Sequence, residues 1–356
     1  MNMILRALMV SVWFMALTFP LVVLKVDALN DTILFRWENM ASIGVGAFVL
    51  SIFWRWSMER KARGAVSTGP SLFARALEAV RQPKPRYTCL GLIAVLMLVM
   101  PYISSMYQIN IMISALIYIM LGLGLNIVVG LAGQLVLGYA AFYAVGAYTY
   151  GLLNTYFGLG FWAVLPVGGI MAALFGLMLG FPVLRLKGDY LAIVTLACGE
   201  IIKTIINNLS VTGGAKGLDT SEIYADTRTL LPFAIVLIFL VVLVMMNLKN
   251  SRHGRAIMAI RDNRIAAESN GVNVTYYKLM VFVLAAFFAG MAGVLYGHTL
   301  ANIKPAMFDY NMSIEILVIV VLGGMGSIRG SIIATIILRA LPEVLRQVAD
   351  YRMLAY

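Results

Sequence analysis

At 356 residues the chain has the length of about two or three soluble domains, yet 62% of it is hydrophobic, only 12% is charged and its mean hydropathy is +0.91. That composition excludes an ordinary soluble enzyme. The formal net charge of +11 has the size of a nucleic-acid footprint, but in a membrane protein such an excess gathers in cytoplasmic loops, so its placement decides the reading.

A membrane span needs about 20 apolar residues. The apolar runs therefore predict an all-α, polytopic membrane protein of about ten transmembrane helices, in the range of about nine to eleven. In chain order the first spans are Ala7 to Lys25, Met40 to Trp56, Thr88 to Ser105, Ile109 to Leu131, Gly138 to Thr155 and Phe161 to Leu184. Tyr190 to Asn207, Leu231 to Leu248, Leu279 to Leu300 and Ser313 to Leu338 follow. Ala7 to Lys25 is long enough to span, so it reads as a first helix rather than as a removed signal.

The loops set the orientation. Between Trp56 and Thr88, Arg60, Lys61, Arg63, Arg75, Arg81, Lys84 and Arg86 face only Glu59 and Glu78, which makes this loop cytoplasmic. Strict alternation then puts Leu248 to Leu279 on the same side, and it too is basic, with Lys249, Arg252, Arg255, Arg261, Arg264 and Lys278 against Asp262 and Glu268. The segments Asp27 to Asn39 and Asn208 to Leu230 fall outside and are mildly acidic. The positive charge is thus loop charge, and no nucleic-acid partner is implied.

Small residues recur at every fourth position in Gly168, Ala172, Gly176, Gly180 and in Ala285, Ala289, Gly293, Gly297. Lipid offers no hydrophobic drive for helix association, so such stripes predict close helix contacts. Two glycine-rich interruptions, Gly130 to Gln134 and Gly323 to Ser327, loosen helix within apolar sequence. Exposed backbone there needs protein or a water-lined cavity to receive it, and broken or re-entrant segments of this kind line transporter paths. Ordinary tight turns are the other reading of the same glycines.

Intramembrane ionisable groups are few: Glu200 with Lys203 three residues on, and Glu315. Each is a candidate for the substrate path, because a charge at this depth is costly; a structural partner or a snorkelling end group is the alternative. Cys89 and Cys198 have neither metal-ligand spacing nor a disulfide framework. His253 and His298 have no partner in sequence, no Ser-His-Asp grouping is present and no phosphate-binding G-x-x-x-x-G-K-[ST] occurs. Neither covalent catalysis nor ATP hydrolysis is therefore expected of this chain.

Within the second basic loop, Asp262-Asn263-Arg264-Ile265-Ala266-Ala267-Glu268-Ser269-Asn270-Gly271 reads as a short helix with Asp262 as N-cap and Gly271 in the left-handed position after it. Two turns are marginal alone, so the segment predicts a packing partner, either its own membrane domain or a soluble subunit.

The stretch Arg255 to Val272 resembles the coupling loop of the branched-chain amino acid permease family of ABC importers. Leu125 to Gln134 with Gly138 and Phe142, the Arg185-Leu186-Lys187-Gly188-Asp189-Tyr190 turn, the Thr212 to Leu218 loop, Tyr277-Lys278-Leu279, and Gly323 to Ser327 with Gly330 fit the same family in the same order. The resemblance covers about Ile109 to Arg352 and is specific through these ordered motifs. The longer N-terminal region is similar to the M-type subunits of leucine/isoleucine/valine importers. It divides the chain into an N-terminal extension, 1–87, and a permease core, 88–356, with the coupling loop at 249–278. Two departures stand: the acid of the wider Glu-Ala-Ala pattern is shifted to Glu268, and the family pattern implies a further span beyond Tyr356.

The resemblance implies a transmembrane subunit in a bacterial inner membrane, working with a second, H-type permease, two ATP-binding cassette subunits and a periplasmic binding protein. ATP and magnesium would be bound by the partner ATPases, with no cofactor in this chain. Asp262, Arg264, Ile265, Ala266, Ala267, Glu268 and Gly271 become the candidates for ATPase coupling. Gln134, Tyr139, Phe142 and Tyr143, with Glu200 and Glu315, are the candidates for the substrate path, although plain helix packing explains the aromatics equally well. Thr212, Gly213, Gly214, Lys216 and Gly217 are the candidates for binding-protein contact. A urea or short-amide permease of the same architecture and an ion-coupled carrier are the competing functions, and a membrane-embedded enzyme lacks a reactive cluster.

Overall fold

A computed structural model describes residues 24–27, 32–35, 105–183, 186, 188–220 and 227–344. The expected span at Met40 to Trp56, nearly all of those at Ala7 to Lys25 and Thr88 to Ser105, and the first basic loop lie outside the described residues. The chain divides into two compact units, 1–93 with 341–356, and 94–340. In the first unit, β1 (Leu24–Asp27) and β2 (Thr32–Phe35) pair antiparallel, with Leu24 opposite Phe35 and Asp27 opposite Thr32.

The second unit is helical. Its first helix, α1 (Met106–Asn126), starts at a capping box in which Ser105 accepts from the Gln108 amide and Gln108 accepts from the Ser105 amide. A single π-helical turn, Ile127–Leu131, continues it. Beyond it the chain runs non-helically from Gly133 to Gly138 before α2 (Tyr139–Phe157) begins. Then follow α3 (Phe161–Val183), α4 (Asp189–Asn208), α5 (Thr227–Asn250), α6 (Arg252–Asp262), α7 (Arg264–Ser269), α8 (Val274–Thr299), α9 (Tyr310–Gly323) and α10 (Ile328–Val344), of which 328–340 belong to this unit. Among the described residues five segments are long and apolar enough to cross a membrane: Met106–Leu131, Phe161–Pro182, Arg228–Asn250, Val274–Thr299 and Pro305–Gly323.

Helix α5 shows why these residues need lipid. Leu230, Leu231, Ala234, Leu237, Val241 and Met245 are buried at helical spacing, and α5 packs on α1. The opposite face, with Val236, Phe239, Leu240 and Leu243, is just as apolar and exposed. A helix apolar all round is stable only inside a large core or a bilayer.

Helix α8 is the centre of the unit, clasped between α2 and α3. The small-residue stripes make this possible. A Cβ on Gly290 would meet Ala172 and the Gly168 carbonyl, and one on Gly146 would strike the Gly290 backbone. On the next face of α8, Gly293 lies against the backbone of Tyr143 and Ala147, and Gly297 against the Ala147 carbonyl and the Tyr150 ring. Close backbone approach replaces the side-chain interdigitation of soluble cores.

The expected single span from Ser313 to Leu338 is two helices. Gly324 and Gly326 take φ values of +86° and +82°, conformations that favour glycine, and the chain reverses within four residues. Gly323 and Gly330 then face each other so closely that neither has room for a side chain.

At the other end of the unit, the loop before α5 is tied to the loop after α8. β3 (Leu218–Asp219) pairs with β4 (Asn302–Ile303), and Thr220 donates from its amide to Ala301 O at 2.8 Å and from its hydroxyl to Leu300 O at 2.6 Å.

Candidate functional site

The two glycine-rich interruptions, far apart in sequence, meet in space, and Asn126 joins them. This side chain is fully buried at the end of α1. Its Oδ1 accepts from the Gly326 amide at 2.7 Å, while its Nδ2 donates to Ser327 O at 3.2 Å and to Ser331 Oγ at 3.0 Å. A Cβ on Gly130 would collide with Asn126 and with the backbone of Gly326, so glycine is required for the approach.

The π turn explains why a ligand-like grip is needed here. Insertion of one residue shifts the hydrogen bonds, so that Ala132 donates to Ile127 O and Gln134 to Val128 O. Gly130 O is left to other donors, and Arg261, one residue from the end of α6, supplies Nη1 at 2.5 Å. Lys249, in the last turn of α5, donates Nζ to Gly326 O at 2.8 Å. Two cations, one at the start of the second basic loop and one within it, thus hold one carbonyl from each interruption. Charged donors make the stronger class of hydrogen bond, about 1.5–3 kcal/mol each.

The non-helical stretch after the π turn is received by protein, as buried irregular backbone must be. Leu137 donates its amide to Thr195 Oγ1 at 3.1 Å, and Ala140, in the first turn of α2, donates to Ser313 Oγ at 3.0 Å. The first interruption is therefore a broken segment, whereas the second is a helix-to-helix turn.

The second basic loop forms α6 and α7. The N-cap of α7 is Asn263, whose side chain accepts from the Ala266 amide at 3.1 Å. Asp262, the expected cap, instead closes α6 as its last helical residue, and Asn263 is the extended residue from which α7 starts. After α7, Gly271 (φ +79°) donates to Glu268 O and Val272 to Ala267 O, the paired bonds of a Schellman ending. Ala267 is buried with Ile260 and Val274, with Val272 and Tyr277 packed alongside. Ile265 is 77% exposed, and Asp262, Ala266, Glu268 and Gly271 are exposed with it, while Arg264 is half-buried. The two alanines thus part company: Ala267 anchors α7 to its own chain, and Ala266 and Ile265 face outwards.

The remaining expected residues lie elsewhere. Tyr139 is buried and donates to Ala285 O at 3.0 Å, Phe142 packs edge-on against Phe282, and Tyr143 contacts Tyr296 and Phe308. Gln134 is also buried, and neither its Oε1 nor its Nε2 has a hydrogen-bond partner. Glu200 pairs with Lys203 at 3.4 Å, half-exposed on α4. Glu315 pairs with Arg339 at 3.0 Å and accepts from the Tyr118 hydroxyl at 3.1 Å. On the far loop Thr212 is buried, donating to Ile206 O and Leu209 O, and Gly213, Gly214 and Gly217 all have positive φ, with Lys216 exposed beside them.

Sequence reasoning did not single out Asn126, Lys249, Arg261 or Arg339. Asn126 carried a signal, an amide at the end of an apolar helix beside a glycine interruption.

Residues 107–355 match the family model described as branched-chain amino acid transport system / permease component. The chain belongs to this permease family. It is 42% identical over 300 residues to the high-affinity branched-chain amino acid transport system permease protein LivM of Escherichia coli K12, covering 74% of this chain and 70% of that one. The LivM protein of Salmonella typhimurium is 39% identical over 287 residues, 71% of this chain and 67% of its own. A probable branched-chain amino acid transport permease protein LivM of Methanocaldococcus jannaschii is 28% identical over 205 residues, 53% of this chain and 59% of its own. No solved structure matches significantly. As a permease component the chain is a multi-pass membrane protein that works with other subunits of a transport system, and the match spans both interruptions and the loop between α5 and α8.

Proposed function

We propose that this chain is the permease subunit of an ATP-driven importer for leucine, isoleucine and valine. The observation that carries the mechanism is the pair of cations, Arg261 and Lys249, that fasten the basic loop to both glycine interruptions. In this reading the full chain crosses a bacterial inner membrane about ten times, with an N-terminal extension, 1–87, ahead of the permease core, 88–356.

A cytoplasmic ATP-binding cassette subunit docks on the exposed side of α7, at Ile265 and Ala266, with Asp262, Arg264, Glu268 and Gly271 around it. A second cassette subunit serves an H-type permease partner. ATP and magnesium belong to those cassettes. Their closure pushes α7, and the buried Ile260, Ala267 and Val274 make α7 move together with α6 and the start of α8. Arg261 sits at the end of α6, so its grip transfers the displacement to the π turn at Gly130. Lys249 does the same for Gly326. A π turn and a positive-φ glycine turn can each occupy more than one arrangement at small cost, which makes them suited to switching between two access states.

The path for the amino acid runs beside the broken segment Gln134 to Gly138, bordered by Glu200 and Glu315, with Tyr139, Phe142 and Tyr143 forming its wall from behind. On the periplasmic side the stiffened loop carrying Thr212, Gly213, Gly214, Lys216 and Gly217 meets the loaded binding protein. Reconstitution tests the whole reading: the chain is purified from native membranes with its bound subunits, placed in vesicles and supplied with leucine-loaded binding protein. A second permease and two cassette subunits in the complex, with ATP-dependent leucine uptake, are expected. Transport by the chain alone, without ATP, would replace the importer by a carrier, and ATP-dependent uptake of urea or an amide but not leucine would reassign the substrate.

A further inference from the structure

Arg339 lies within α10, in the apolar stretch that follows the glycine turn, and its charge has no role in the coupling end. Its guanidinium stacks on the Tyr118 ring, with the central carbon 3.2 Å from the ring centroid. Its Nη2 lies 3.0 Å from Glu315 Oε1, and Tyr118 donates to the other carboxylate oxygen. Tyr143 and Tyr296 complete the electrostatic surroundings of this group, with Phe308 edge-on to both. Glu315 is about 12 Å along α9 from the Gly323 turn, inside the segment Pro305–Gly323 that is long and apolar enough to cross a membrane.

The cluster is incomplete in a specific way. Nε and Nη2 of Arg339 are shut off from solvent, yet no acceptor is aligned with either. The Tyr143 hydroxyl, in a side chain with no exposed surface, has no partner either. Buried donors of this kind are ordinarily satisfied. At rest Nη2 faces Glu315 Oε1 off the hydrogen-bond line and Nε has no acceptor, so once the pair opens the fork matches the two oxygens of a carboxylate. Glu315 and the Tyr118 ring, once released from the guanidinium, offer an anion and an aromatic face, the two partners an ammonium prefers.

We propose that Arg339 and Glu315, with Tyr118 and Tyr143, bind the charged head of an α-amino acid zwitterion inside the membrane. The proposal rests on the importer reading and names the site for its substrate. The resting ion pair opens to exchange partners: Arg339 takes the carboxylate, together with the Tyr143 hydroxyl, and Glu315 takes the ammonium. One neutral pair becomes two neutral pairs, so no net charge is left in the low-dielectric interior at any stage. A weak, self-closing site of this sort lets the substrate leave as readily as it enters.

The test is uptake of radiolabelled leucine by the complete importer in proteoliposomes, with ATP and saturating leucine-loaded binding protein. Arg339→Lys keeps the charge without the fork. The double variant Arg339→Met with Glu315→Met removes both partners and strands no charge, so it folds where a single variant fails. The double variant is expected to assemble with its partner subunits and to take up leucine at least about tenfold more slowly, the loss of charged hydrogen-bond partners. The loss falls on the maximal rate rather than on the concentration of loaded binding protein needed, and Arg339→Lys recovers part of it. Uptake by the double variant equal to the unmodified importer overturns the site, and so does its failure to assemble, which makes the pair a structural tie. No leucine uptake by the unmodified importer overturns the importer reading, and the site with it.

Discussion

Replacing Arg261 by methionine removes one bond and little else. The Cγ of Arg261 packs over Gly133, which has no Cβ to obstruct that contact, and methionine keeps the aliphatic part. What is lost is the Nη1 bond to Gly130 O at 2.5 Å. A charged donor to a carbonyl contributes about 1.5–3 kcal/mol when shielded; for this partly exposed side chain about 1–2 kcal/mol is the appropriate figure. If the bond exists in one access state and is broken in the other, its loss shifts the equilibrium between them by about 5- to 30-fold. Leucine uptake and ATP hydrolysis measured together in proteoliposomes give the ratio of solute moved to ATP consumed. Arg261→Met is expected to keep hydrolysing ATP while that ratio falls about fivefold or more, with Arg261→Lys in between. An unchanged ratio in Arg261→Met would refute transmission through this residue.

Asn126→Leu removes the three hydrogen bonds of a buried side chain and leaves the Gly326 amide without an acceptor, so a loss of about 3 kcal/mol is expected, read as a lower unfolding temperature in detergent; an unchanged transition would mean the two interruptions are held by other contacts. Ile265→Glu and Ala266→Arg act on exposed positions and should leave that temperature unaltered while cassette subunits no longer co-purify. Ala267→Arg is expected to do the opposite first, lowering thermal stability by about 3 kcal/mol, because it forces a cation into the packing of Ile260 and Val274. Gly290→Val drives branched carbon into Ala172 and the Gly168 carbonyl; about 3 kcal/mol or more of overpacking should abolish recovery of folded protein from membranes, and normal yield would show that α8 can repack.

The helices that hydropathy places well are those whose composition changes sharply at both ends. Phe161 to Leu184 is expected and Phe161–Val183 is found, because glycine precedes it and a basic turn follows. The run from Ser313 to Leu338 fails for the opposite reason: a window long enough to detect a span averages over the four residues in which Gly324 and Gly326 reverse the chain. The cap of α7 was ambiguous because Asp262 and Asn263 are both able to cap, and only the fold shows which one has the Ala266 amide within reach. Small residues at every fourth position, by contrast, have one physical use in a membrane, and the stripes do form the α3–α8 and α2–α8 contacts.

Cations are the residues whose roles were least legible. Arg261 and Lys249 sit in a loop where positive charge already has an explanation in topology, so nothing in the sequence marks them as different from Arg252 or Arg255. Their targets lie 131 and 77 residues away, and each target is a backbone carbonyl, which every residue possesses. What the sequence did mark was the other half of each bond: backbone loosened from its helix by a cluster of glycines. Exposed backbone in an apolar interior has to find a donor, and the nearest donors long enough to reach it from outside the membrane layer are lysine and arginine. A glycine interruption at a span end, in a permease whose adjacent loop is basic, is therefore a place to expect that loop to be attached. In this chain both interruptions are attached, Gly130 by Arg261 of α6 and Gly326 by Lys249 in the last turn of α5, so the proposed push on α7 would reach the first through α6 and the second only through the packing of α6 on α5.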